Sequence, residues 1–392
     1  MMLGFLLARA GVGVAVLEKH ADFLRDFRGD TVHPSTLEMM HELGLLQEFL
    51  KLPHSIVRQI SVQIGEDRVV IGHFDHLPVH CKFIALMPQW DFLNFIADQG
   101  KRFQTFDLRM CTEATDLIEE QGRVVGLRAK TPEGDIEIRA DLIVGCDGRH
   151  STVRETAGLE SDDYGAPMDV MWFRLSRKRG DSEETFGHIE GGRMMVMLNR
   201  NDYWQCAYVI PKGSAAEIKR GGLDRFRQSV GELAPLTQDR LDEIDNWDKV
   251  KLLTVAIDRL RRWCRPGLLC IGDAAHAMSP VGGVGVNLAV QDAVAAANIL
   301  VQPLLSGTVT LDTLLAVQRR REFPTRVTQR IQILMQNNII GPALTGKRSK
   351  APIFMKLLQW PLLRRIPGRV LALGVRPEHI HTPVAPANRP VV

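Results

Sequence analysis

No Cys-x-x-Cys pair occurs in this chain, and no histidines cluster at metal-ligand spacing. Its six cysteines (Cys81, Cys111, Cys146, Cys206, Cys264, Cys270) are scattered through 392 residues. That pattern excludes a disulfide-stapled scaffold and a zinc module, and predicts reduced, mostly buried thiols in a cytoplasmic protein without a metal site. No basic stripe interleaved with aromatics runs through the body of the chain, so nucleic acid is not an expected partner. Internal repeats and low-complexity linkers are lacking as well. The apolar opening, residues 1–10, is too short and wrongly flanked for a signal peptide or a membrane span. What remains is 45% hydrophobic and 24% charged, an ordinary globular composition with length enough for two domains.

Against these absences, residues 266–293 stand out: Pro-Gly-Leu-Leu-Cys-Ile-Gly-Asp-Ala-Ala-His-Ala-Met-Ser-Pro-Val-Gly-Gly-Val-Gly-Val-Asn-Leu-Ala-Val-Gln-Asp-Ala. A short apolar strand ends in Gly272-Asp273, a glycine-rich loop follows, and a helical pattern opens at about Asn287. A strand tip thus offers a carboxylate, and a helix N-terminus with unpaired N–H groups points at the same place. That suits an electron-rich ring or an anion. An ordinary strand–loop–helix connection of an α/β protein is the alternative. His276 reads as a packed, hydrogen-bonded loop residue. Upstream, Leu142 to Val144 form a buried strand that leads to Asp147-Gly148, and Ser151 can cap a helix starting at Thr152. Arg154 is either a solvated helix charge or part of that site. Residues 1–10 read as an apolar helix stopped by Gly11, and Val12 to Leu17 as a strand ending at Glu18. Ser35 and Glu38 have capping-box spacing.

The ordered string Gly272-Asp273, Ala-Ala-His276, Pro280, Gly282, Gly283, Gly285, Asn287, Asp292-Ala293 resembles the flavin signature of the FAD-dependent aromatic hydroxylases, the group that includes p-hydroxybenzoate hydroxylase. The resemblance implies that Asp273, after Gly272, accepts from the ribityl hydroxyls and that Pro280 packs beside the isoalloxazine. Gly283 and Gly285 would let backbone approach the ring, and the amides of Val286 and Asn287 would face the pyrimidine carbonyl. It further implies that Asp147-Gly148 serves the pyrophosphate region and NAD(P)H docking. Glu18, with Lys19 beside it, stands where the ribose-binding acid belongs. Arg28 would contact FAD, and Gln89 would lie near the ribityl chain. Counting back from Glu18 puts the last fingerprint glycine before Met1, so the first strand and the GxGxxG turn are expected to be missing.

The fold expected is α/β: a Rossmann-like FAD-binding domain (residues 1–55, 90–165 and 263–340) interleaved with a mixed or antiparallel β-sheet substrate domain (56–89 and 166–262). Residues 90–165 read as alternating strand and helix, residues 166–262 as strands joined by turns, and Leu311 to Ile340 as a long helical stretch kinked or restarted at Pro324. A C-terminal helical segment, residues 341–392, mixes apolar residues with Lys347, Arg348, Lys350, Lys356, Arg364, Arg365, Arg369 and Arg376. It either covers the substrate pocket or contacts a membrane surface. Pro361 and Pro367 favour the former, because they break any long amphipathic helix.

The activity implied is an NADH- or NADPH-consuming monooxygenase that hydroxylates an aromatic or polyketide-like molecule with O2 through a flavin C4a-hydroperoxide. No catalytic side chain is assignable beyond flavin-adjacent Pro280. Tyr203, Tyr208 and His188 read as packing residues, and Met194, Met195 and Met197 either line a pocket or fill the sheet core. A flavoprotein reductase of the same fold, acting for instance on prenyl double bonds, is one rival. A non-catalytic remnant with weakened FAD binding is another; halogenases share the fold, but this chain has no Trp-x-Trp-x-Ile-Pro string. The oligomeric state is open, a dimer being one option.

Overall fold

In the computed structural model, which describes residues 1–24, 31–65, 67–182, 185–346 and 365–385, the opening residues form the helix Met2–Arg9 and the strand Val14–Leu17. Gly11, at φ 92°, turns the chain between them. The helix is buried from Met2 to Ala8 because it packs against the helix Gln89–Gly100 and the long helix Gly285–Leu305. Val14–Leu17 pairs in parallel with Phe106–Arg109, and Ile143–Gly145 pairs in parallel with Leu268–Cys270. Among the described residues no strand joins these two parallel pairs.

Between them the chain departs from the expected strand–helix alternation. Residues 113–139 form an antiparallel meander of Glu113–Glu120, Arg123–Thr131 and Gly134–Arg139. Its first hairpin turns at Gln121-Gly122, both at positive φ (51° and 75°), the two-residue turn whose twist matches paired strands. The local turn chemistry therefore overrides the α/β rhythm here.

The remaining strands build a seven-stranded sheet in the order Lys251–Leu253, Met168–Ser176, Tyr203–Pro211, Arg193–Asn199, Phe186–Glu190, Gln59–Ile64, Asp67–His73. Phe186–Glu190 runs parallel to Gln59–Ile64 and the other neighbours are antiparallel, so the sheet is mixed as expected. One face is covered by the helix Leu223–Leu233 and the 3₁₀ segment Pro235–Glu243, which supply Phe226, Val230 and Leu241 to a core with Phe173, Met195 and Trp204. The strand pattern alone does not predict those helices. The other face turns toward Val281 and Ile340.

Gly285–Leu305 is followed by Leu311–Met335, which continues as a π-helical turn, Gln336–Ile340. Pro324 lies inside Leu311–Met335 and does not restart it. Its neighbours Arg321 and Thr325 are fully buried, and that packing outweighs the backbone bond a proline removes. The helix Arg365–Leu373 packs on the strand Asp67–His73. Lys347, Arg348, Lys350, Lys356, Pro361 and Arg364 lie outside the described residues, and so do the pocket-cover and membrane readings that rest on them.

Gly267 sets the strand that carries Asp273. It has φ 78°, its carbonyl takes Ile143 N–H at 2.9 Å, and a Cβ there would meet Val124 O at 1.9 Å. Gly267→Ala is therefore expected to destabilise the protein by about 2 kcal/mol or more, combining strain and backbone clash. Thermal melts showing an unchanged midpoint would contradict this account of the turn.

Candidate cofactor site

Because Gly145 pairs with Cys270 in parallel register, Asp147-Gly148 and Gly272-Asp273 leave the sheet side by side. Ile271 N–H donates to Gly145 O at 3.0 Å. Arg149 ties the two turns together: one guanidinium nitrogen lies 3.8 Å from the Asp273 carboxylate and the other donates to Thr254 O at 3.0 Å. The α-amino group of Met1 is in electrostatic range of both Glu18 and Cys146. Burial lowers its pKa while those two groups push the other way. Glu18 at the end of its strand thus shares a neighbourhood with the Asp147 turn.

Asp147 has a local task. Its carboxylate accepts from Ser151 Oγ at 2.5 Å and from Val153 N–H at 3.1 Å, and Ser151 Oγ accepts from Arg154 N–H at 2.9 Å. Together they cap the helix Thr152–Thr156. Gly148, at φ 87° with open space where a Cβ would stand, leaves room for a ligand. Arg154 is not a solvated charge. It pairs with Asp258 at 3.2 Å and donates to Arg149 O at 2.8 Å.

Pro280 opens the short turn Val281–Gly283. A Cβ on Gly283 would meet Thr31 Oγ1 at 2.3 Å, and one on Gly282 would meet Leu371 Cδ1 at 2.9 Å. These two glycines admit the protein's own side chains, whereas a Cβ on Gly285 would make only an ordinary contact with Met278 Cβ at 3.8 Å. The Asn287 amide is committed internally. Its oxygen accepts from His33 N–H and Thr36 Oγ1, both at 2.8 Å, and its nitrogen donates to Thr31 O at 2.9 Å and Gly283 O at 3.2 Å.

That arrangement replaces the capping box expected at Ser35 and Glu38. The helix Pro34–Glu42 has His33 at its N-cap with no side-chain cap, and Glu38 accepts from His80 N–H at 3.0 Å instead. Pro34 takes the first helical position, and a tertiary acceptor, Asn287, does what a local one would have done. The His33 ring is 1% exposed; its Nδ1 lies 2.8 Å from Leu371 O, and Nε2 has no partner among the described residues. Burial pushes its pKa down to about 4, so it is neutral at pH 7.

The helix Gly285–Leu305 starts with no capping side chain and no acid in its first turn. The positive end of its dipole therefore faces the glycine loop unneutralised. Gln89 heads the helix Gln89–Gly100, three residues after Leu86, whose strand partner is Thr31, so it belongs to this side of the molecule. Lys19, next to Glu18, is exposed and lies 3.7 Å from Glu113. Arg28 falls outside the described residues.

His276 is the packed residue the sequence suggests, 1% exposed against Trp263, with Nε2 2.5 Å from Asp292 Oδ2. Fully buried Asp292 also accepts from Gly272 N–H at 3.0 Å and from Arg321 Nε at 2.8 Å. Sequence reasoning assigned Asp292 no role and missed Arg321. The available signal was a charge placed on the apolar stripe Leu314, Val317, Arg321.

A family model described as "FAD binding domain" matches residues 1–331. The chain belongs to that family. It is 26% identical over 372 residues to 6-methylpretetramide 4-monooxygenase of Streptomyces rimosus, covering 94% of this chain and 89% of the relative. It is 25% identical over 337 residues to para-nitrophenol 4-monooxygenase of Pseudomonas sp. (strain WBC-3), covering 82% and 80%. Its fold matches the crystal structure of p-nitrophenol 4-monooxygenase from Pseudomonas putida DLL-E4, with a TM-score of 0.74 at 20% identity, covering 93% of each chain.

The site fits the cofactor of this family. It offers an uncapped helix start at the glycine loop, a partly exposed carboxylate at Asp273 and open space at Gly148. FAD is the cofactor.

The buried His33 makes a pH prediction. The unfolded chain binds a proton at the ordinary histidine value of 6.5 and the folded chain only near 4, so stability falls as pH drops through that window. The loss reaches about 3 kcal/mol by pH 4. His33→Gln should flatten this part of the stability–pH curve, measured by denaturant unfolding of the apoprotein. An equally steep curve in the variant would show that other groups cause it.

Proposed function

We propose that this protein is an FAD-dependent monooxygenase that uses NADH or NADPH and O2 to hydroxylate an aromatic or polyketide-like small molecule. The carrying observation is an apolar sheet face opposite the glycine loop. Trp172, Met194, Val196, Ala207 and Val209 cluster with Ile340, Leu344 and Val281 of that loop. A flat, apolar substrate held there would meet the ring edge with water excluded. The names of the relatives, a pretetramide and a nitrophenol monooxygenase, agree in substrate chemistry. Free thiols at all six cysteines fit a cytoplasmic location.

Of the candidate polar side chains of the sheet, Tyr208 and His188 belong to its other face, whereas alternation puts Tyr203 on the face of Ala207 and Val209. Tyr208 Oη bonds Ser229 Oγ at 2.6 Å, His188 Nδ1 lies 2.6 Å from Leu233 O, and Met195 and Met197 are core under the same helix. A polar cleft of about 240 Å³ lined by Ser61, Gln63, Arg68, Phe186 and His188 opens on that face too, away from the glycine loop. Substrate selection on the flavin side rests mainly on shape and apolar contact, with Arg174, Tyr203 and Gln205 as the polar side chains that share this face by strand alternation.

When bound, FAD supplies hydride acceptance and oxygen activation. The chain's part is to orient it. Asp273 would hold the ribityl chain, Glu18 the ribose, and the first amides of Gly285–Leu305 the electron-rich end of the ring, where their dipole stabilises the charge that reduction adds. Arg149, beside Asp273, would fix the carboxylate's orientation.

Asp273→Ala removes a charge-assisted acceptor and should weaken FAD binding by roughly 10- to 100-fold, measured by fluorescence titration. The reaction class is tested by NADH and NADPH oxidation of the FAD-loaded protein against phenols and tetracyclic polyketides under ¹⁸O₂. One compound should stimulate oxidation and gain labelled oxygen. Product that forms equally well without oxygen would replace this reading with the reductase one.

A further inference from the structure

The family match ends at residue 331, yet residues 365–385 return to the cofactor site at two points. At the first, Glu378, 6% exposed, takes Arg321 Nη1 at 3.2 Å and Arg320 Nε at 2.7 Å. Arg321 has no exposed surface and passes the connection to Asp292, which holds Gly272 N–H and His276. Gly272 adjoins Asp273. At the second point, Leu371 fills the space over Gly282 and its carbonyl meets His33 Nδ1.

We propose that Glu378 is a positioning residue for the flavin, acting through Arg321 and Asp292 on the Gly272-Asp273 turn. The physical reason is that one buried guanidinium serves two buried carboxylates. Burial alone would raise the Asp292 carboxyl, but His276 and Arg321 outweigh it and keep it below the usual range, so the aspartate is ionised. An ionised, water-free carboxylate demands a fixed cation. Glu378 fixes that cation from the far side. Without it, Arg321 can swing away, and the grip of Asp292 on Gly272 N–H loosens. This inference rests on the placement of the flavin ribityl chain at Asp273.

The test is a double-mutant cycle on FAD affinity, read by fluorescence titration of the full chain. Glu378→Ala should raise the FAD dissociation constant about tenfold. Combined with Asp273→Ala it should add no more than about twofold to the effect of Asp273→Ala alone. Glu42→Ala is the control. It also anchors residues 365–385, accepting from Ile380 N–H at 2.8 Å and contacting His379, but it does not touch Arg321. It should lower the melting temperature and leave FAD affinity unchanged. Fully multiplicative effects of Glu378→Ala and Asp273→Ala, or equal loss in Glu42→Ala, would overturn the proposal. Asp273→Ala without effect would instead remove the flavin from this turn, and the inference with it. If Glu378→Ala does not fold, Glu378→Gln enters the same cycle with the same criteria.

Discussion

A carboxylate with no access to water, Asp292, is the constraint around which the cofactor side of this molecule is organised. An aspartate at 0% exposure is tolerated only when its charge is matched and its lone pairs are filled. Here Arg321 matches the charge, and Gly272 N–H and His276 fill the other oxygen. Those partners come from the strand tip, the loop after it and the second long helix. Satisfying one buried ion therefore locks three separate pieces of chain together, next to the residue expected to hold the ribityl group.

Asn287 performs a comparable service one turn further on. Its side-chain amide uses both ends to join residues 31–36 to the glycine loop. The two centres divide the labour. One fixes the Gly272-Asp273 turn and the other fixes the glycine loop. The residues proposed to touch the cofactor are Asp273, beside Arg149, and the first amides of Gly285–Leu305, a helix that starts without a capping side chain. The glycines at 282 and 283 in the same loop accept Leu371 and Thr31.

The apolar sheet face follows a different rule. Strand alternation sends Met194 and Val196 toward Val281, and Met195 and Met197 toward the covering helices. Polar side chains that looked useful in isolation, Tyr208 and His188, are spent on helix packing at the far face. Oxidative chemistry borrowed from a cofactor needs little from the wall besides dryness and shape, and that is what this wall offers.

Much of this was legible from the chain itself, for local physical reasons. A strand ending in Gly272-Asp273, a glycine loop and a helix starting near Asn287 follow from apolar runs, turn residues and helix-start rules that act over a few residues. The same holds for the Ser151 cap, the Gly11 stop and most strands of the seven-stranded sheet, though not for Phe186–Glu190 or Lys251–Leu253. What tertiary structure alone decided is which polar groups meet. Glu38 found His80 and left the cap to Asn287, Pro324 stayed inside its helix, and Arg321 became a core residue between two distant acids. Such choices depend on desolvation, because a buried polar group must find its partner wherever the fold brings one, and sequence spacing carries no record of that.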